Sequence, residues 1–140
     1  MQVYLSLALP REALSIPVTR RMLATSMRIV GVDEECVGDI KVALSEACTN
    51  VLDHAQDGDN YEVVCYLDDD ECVIEVIDRG GGFESASMGV DHAEIDSEAG
   101  RGIQLMRRLV DRVRFENRPL GGTVVHLEKD LQWRVDAPLR

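Results

Sequence analysis

The stretch EECVGDIKVALSEACTNVLDHA (34–55) decides how this chain is built, because one helix drawn on it carries two unlike faces. Asp33, Glu34 and Glu35 open it with acid, where carboxylates favour the positive end of a helix dipole. Ile40, Leu44, Ala47 and Val51 fall on one side, the stripe that a helix buries against a core. Glu46, Asn50 and Asp53 share a second side, more than a quarter-turn away. A polar stripe is ordinarily a solvated face. Asn50 strains that reading. An amide one turn after an acid is a common surface pair, but it also suits Mg²⁺, which takes oxygen ligands, keeps several waters and needs few protein groups when phosphates supply the rest.

Outward from this helix, QVYLSLAL (2–9) alternates with Val3, Leu5, Leu7 and Leu9 on one face, the period of a half-buried strand that Pro10 ends. Ser15-Ile16-Pro17 reads as an N-cap followed by a first-turn proline, and Val18, Met22, Ala24, Met27 and Ile29 carry a helix to about Gly31. After a turn cluster at Asp57-Gly58-Asp59-Asn60, YEVVCYL (61–67) and ECVIEVID (71–78) flank an acidic tight turn and predict a β-hairpin. Residues 79–100 are rich in glycine, serine and charge without a period. They read as a long functional loop, since regular structure resumes on both sides. Ile103, Met106, Leu109, Val110 and Val113 restore a helical stripe. VRFEN (113–117) and TVVHLEK (123–129) predict two closing strands, with a short frayed tail after Trp133, itself a lone tail aromatic.

With 140 residues, 45% of them hydrophobic, the chain is sized for one domain, 1–140, that buries a core without staples. Its 26 acidic and 15 basic residues leave a formal charge of -11, which argues against direct nucleic-acid binding and against docking on an anionic membrane. No signal-like start or bilayer-length apolar run stands in it, so a cytoplasmic location is expected. Cys36, Cys48, Cys65 and Cys72 form no C-x-x-C pair and lie in apolar segments, as reduced core residues do. His54 reads as a helix-end residue, while His92 and His126 stand alone.

Three glycine-bearing junctions complete the pattern. Asp78-Arg79-Gly80-Gly81-Gly82-Phe83 follows a strand; its glycines allow close backbone approach, and its acid can accept from an exocyclic amine. Gly100-Arg101-Gly102 opens a helix, where free N–H groups and the helix dipole suit phosphate. Arg101 reads equally as a phosphate contact or a solvated arginine. Gly121-Gly122-Thr123 enters the last strand, a place where a hairpin turn is also natural. Each junction alone is weak evidence for a nucleotide.

In order, E-x-x-x-N on a helix, D-x-G-x-G-F after a hairpin, G-x-G before a helix and G-G-T before a strand make the chain resemble the GHKL (Bergerat-fold) ATPases. Leu44-Ser45-Glu46-Ala47-Cys48-Thr49-Asn50, the short lid, and the leading strand and helix make it look like the bacterial anti-sigma-factor serine/threonine kinases of that superfamily. The resemblance implies an α/β (α+β) two-layer sandwich whose mixed, mainly antiparallel sheet is covered on one face by helices. It implies ATP and Mg²⁺ as cofactors, with Asn50 as the Mg²⁺ ligand, Glu46 as general base, and Asp78 with Thr123 at the adenine. Gly80 and Gly82 would shape the base pocket, and Gly100 and Gly102 would meet the phosphates.

The implied activity is capture of a sigma factor and phosphorylation of a Ser or Thr on a STAS-type anti-sigma-factor antagonist, by a homodimer. A nucleotide-dependent binding module without kinase activity is the alternative; a detached histidine-kinase domain fits less well, as no helical hairpin with a phosphoacceptor histidine is present. Arg20 and Arg21, on the early helix that meets other proteins in the resembling family, are expected partner contacts.

Overall fold

The computed structural model describes residues 1–54, 60–78, 98–117 and 122–138. The hairpin is β2 (Asn60–Leu67) and β3 (Glu71–Asp78), and its register pairs Tyr61 with Asp78, Val63 with Val76, Cys65 with Ile74 and Leu67 with Cys72. Those eight residues are buried and, two apart along each strand, make up the inside face of a sheet. Strand β1 (Val3–Pro10) pairs along β2, while β5 (Thr123–Asp130) lies against β3 and carries β4 (Arg112–Asn117) outside it. The five-stranded order is β1-β2-β3-β5-β4, antiparallel at each of these pairings.

Among the described residues three helices cover the inner face: α1 (Ser15–Val30), α2 (Glu34–His54) and α3 (Glu98–Leu109), with α2 packed between the other two and on β3 and β5. Ile40, Leu44, Ala47 and Val51 are all essentially inaccessible, as the apolar stripe requires. Burying a side chain the size of Ile40, Leu44 or Val51 contributes about 1.5–3 kcal/mol. The four cysteines are free and buried, and all four belong to this core.

Several local expectations are corrected. In α1 the buried face is Ser15, Thr19, Leu23, Ala24, Met27 and Val30; Val18, Met22 and Ile29 are exposed. An apolar stripe fixes a helix but not which side the neighbours cover. Ser15 is not the cap but the first helical residue: Leu14 holds the cap position, and the Ser15 hydroxyl donates to Glu12 O at 2.7 Å and meets the Tyr61 hydroxyl. Helix α3 already begins at Glu98, which puts Gly100-Arg101-Gly102 inside its first turns, and it ends at Leu109, so Val113 belongs to β4.

Nor is the tail frayed. Gly31, at φ 104°, closes α1, its N–H reaching Met27 O and Arg28 O while Val32 N reaches Met27 O. Arg134 N donates to Gly31 O at 2.8 Å, Asp33 N to Gln132 O at 2.8 Å, and Trp133 Nε1 to Asp69 O at 2.9 Å. A side chain on Gly31 would stand 2.4 Å from Ala137 Cβ, so glycine is needed both for the turn and for the tail.

The other sheet face bears a small apolar cluster, Val64, Ile77 and Val124, bordered by charge. His126 is not isolated there: Nδ1 lies 3.2 Å from Glu75 and Nε2 2.8 Å from Glu128. Arg112, hydrogen-bonded to Glu128, and then His126 hold the Glu128 carboxyl down at about 2. No helix among the described residues is long and apolar enough to cross a membrane.

Candidate active site

The polar side chains in the second half of α2 differ in where their hydrogen bonds go. Ser45 Oγ donates to Lys41 O at 2.9 Å and Thr49 Oγ1 to Ser45 O at 2.8 Å, so both are satisfied by the preceding turn of their own helix. Asn50 Nδ2 is not met in that way. The residue is 4% exposed, and its buried Nδ2 has no hydrogen-bond partner among the described residues. A buried amide left so costs about 1–3 kcal/mol, and native structures tolerate few of them without a ligand or water to meet them.

The space beside it is a cleft of about 300 Å³ lined by Glu46, Thr49, Asn50, Asp53, Arg101, Gly102 and Leu105. The polar stripe of α2 thus faces the first turns of α3 across a gap. Gly102 sets its width: a Cβ there would lie 2.7 Å from Glu46 Oε2 and 3.9 Å from Asn50 Oδ1. Gly102 has no left-handed backbone, so what demands glycine is this close approach. Gly100 is buried and Arg101 exposed at the rim. Because α3 begins at Glu98, the N-terminal end of its dipole lies beside Asn50 and Glu46.

Asp78 ends the inner row of β3 and Thr123 begins that of β5; the register pairs them, and both are fully buried. Arg11, in the turn after β1, reaches this corner: Nη1 stands 3.5 Å from Asp78 Oδ1, and Nη2 donates to Val51 O at 2.9 Å and more loosely to Leu52 O at 3.4 Å. Nothing in the sequence singles out Arg11, since a basic residue after a strand-ending proline is unremarkable until the fold brings α2 and β3 to it. Behind the corner, burial holds the Tyr61 hydroxyl and the Cys48 thiol up at about 12 each, so both stay protonated and Cys48 is no nucleophile.

The structure therefore brings Glu46, Asn50, Arg101 and Gly102 to one cleft, and Asp78 and Thr123 to one buried corner by the C-terminal end of the same helix. Gly80, Gly82 and Gly121, together with His92, lie outside the described residues. Arg20 is half-buried, its Nη1 donating to Ser45 Oγ at 3.2 Å, while Arg21 is exposed.

Residues 9–129 match the histidine kinase-like ATPase domain family. The serine-protein kinase RsbW of Bacillus subtilis (strain 168) is 32% identical over 95% of this chain and 89% of its own length. That of Halalkalibacterium halodurans is 30% identical over 91% and 83% respectively. The anti-sigma F factor of Pasteuria penetrans is 37% identical over 67% of this chain and 68% of its own. Among solved structures, the RsbU and RsbW domains of a Mycobacterium tuberculosis protein superpose with a TM-score of 0.71 at 23% identity, over 92% of this chain and 32% of that one, a likeness of fold. The family match spans most of the chain and the relatives run nearly its full length, so this chain belongs to the histidine kinase-like ATPase domain family, whose name makes ATP its nucleotide.

Proposed function

We propose that this chain is an ATP-dependent anti-sigma factor that captures a sigma factor and phosphorylates a Ser or Thr of a STAS-type anti-sigma-factor antagonist. The observation that carries it is the buried Asn50 side chain, whose Nδ2 finds no hydrogen-bond partner among the described residues and can donate to a phosphate, in a cleft shared with the Glu46 carboxylate. The names of relatives across most of the chain support it.

Asn50 fits Mg²⁺. Its amide lines the cleft, and among the described residues no cluster of three His, Cys, Asp or Glu side chains offers an all-protein cage. The ion would rest on the Asn50 oxygen and on phosphate, where it supplies charge neutralisation to the transferring group. Asp78, with Thr123 beside it, accepts from the adenine amine, with Gly80 and Gly82 shaping the base pocket. Gly100 and Gly102 let the phosphates approach the α3 backbone, and Arg101 at the rim meets their charge. Glu46 orients the acceptor hydroxyl and takes its proton as the new O–P bond forms and the bond to the ADP oxygen breaks.

Partners would dock over α1, where Leu14, Val18 and Met22 are exposed at helical spacing beside Arg21, and where Arg20 leans toward α2. The protein would act as one domain, a cytoplasmic homodimer that touches neither nucleic acid nor membrane, in keeping with its charge of -11. Incubation with γ-labelled ATP and candidate antagonist proteins tests the reading. Label on an antagonist Ser or Thr is expected. Sigma-factor capture without any label transfer would leave a nucleotide-dependent binding module instead.

A further inference from the structure

We infer that Arg11 is the positioning residue of the base pocket: it holds one oxygen of Asp78 so that the other meets the adenine amine, and it ties that carboxylate to the helix that bears Asn50. The inference rests on the reading of Asp78 as the base acceptor.

A carboxylate at the end of a strand rotates about two side-chain bonds, and both its oxygens accept. A buried one that must present a chosen oxygen to a ligand needs its other oxygen fixed. Arg11 Nη1 lies 3.5 Å from Asp78 Oδ1, with Asp78 fully buried and the Arg11 side chain only 13% exposed. Such a pair is dry, so its geometry is weakly screened. The contact is a charge pairing rather than a hydrogen bond, and with Oδ1 drawn toward Arg11 in this way, Oδ2 is the oxygen we assign to the base.

The same guanidinium acts on a second element. Its Nη2 donates to Val51 O and Leu52 O, carbonyls of the last turn of α2, directly after Asn50. Helix-end carbonyls lack partners within the helix and carry the negative end of its dipole, so a cation there is doubly favoured. Arginine suits the task because its planar fork reaches a carboxylate and a carbonyl at once; lysine presents a single point charge. One side chain thereby sets the base acceptor and the end of the Asn50 helix in a fixed relation.

A purely structural cap on α2 would affect all nucleotides alike, whereas a positioning role depends on the base. Calorimetry should compare ATP with purine riboside 5′-triphosphate, which lacks the 6-amino group, on the unchanged protein and on Arg11→Gln, Arg11→Lys and Asp78→Asn. The unchanged protein is expected to prefer ATP by about tenfold or more, the worth of one satisfied buried amine. Arg11→Gln should bring that ratio toward one by weakening ATP, with the riboside little changed, and Arg11→Lys should recover part of it. Equal weakening of both nucleotides in Arg11→Gln, or a ratio kept in both Arg11 variants while Asp78→Asn loses it, overturns the role of Arg11 alone. No preference in the unchanged protein overturns the base reading of Asp78 and this inference with it.

Discussion

The two ends of α2 are finished by opposite rules. At its start, the polar groups are paired: Asp33 Oδ2 accepts from Glu35 N at 3.2 Å, Asp33 N donates to the tail, and Lys129 Nζ joins Leu109 O at 2.8 Å to Asp39 at 3.3 Å. One lysine there staples the last turn of α3 to the first turns of α2. Toward its other end, Asn50 keeps a buried Nδ2 without a partner among the described residues, Glu46 opens onto a cleft, and a glycine stands where any side chain would press on that carboxylate. A helix held firmly at its start, and met at its last carbonyls by Arg11, can keep one unsatisfied, ligand-facing group in Asn50. Stability is concentrated away from the chemistry, and the site keeps the unmet groups a ligand can meet.

The comparison breaks most sharply at Glu46. Glu46→Gln should keep ATP affinity while single-turnover transfer falls about a hundredfold to ten-thousandfold, the range of general-base action. Transfer at the original rate would move the base elsewhere. Next in size is Gly102→Ala, whose new Cβ would lie 2.7 Å from Glu46 Oε2. The carboxylate swings aside, and displacement of a catalytic group by about an ångström costs roughly a hundredfold in rate. Thermal stability should hold or rise, since alanine is the better helix former by about 1 kcal/mol. Unchanged transfer by this variant would show that the close approach is not part of the site.

At the stapled end the expected outcome reverses. Lys129→Met should lower unfolding free energy by about 1–3 kcal/mol in denaturant titrations, leaving nucleotide affinity intact. A loss of ATP binding without loss of stability would contradict the division between the two ends. The smallest effect lies on the open sheet face. Glu128 has its carboxyl lowered from 4.5 to about 2 by Arg112 and His126, so its contribution is present above the ordinary value and vanishes as pH falls from 4.5 toward 2. Glu128→Gln should flatten the loss of stability across that window by lowering stability above it, an effect that solvent screening keeps small, and should match the unchanged protein near pH 2. An unaltered acid profile would remove Glu128 from the account.

Local chemistry was legible from residue order alone. Period-two alternation located β1, the turn signals around residues 57–60 and 68–70 located the hairpin, the stripe from Ile40 to Val51 located the buried side of α2, and the helix period put Glu46 and Asn50 on one polar face. These follow from backbone geometry that repeats every few residues, so a short window contains them. Only the tertiary structure decided which face of α1 is covered, that the tail closes on Gly31, and that Gly102 sits against Glu46 while Arg11 reaches both Asp78 and the end of α2. Such contacts join residues that are distant along the chain. They depend on how strands register and helices pack across the sheet, and no window of sequence carries that relation because each partner alone, an arginine after a proline or a glycine in a helix, has many ordinary explanations.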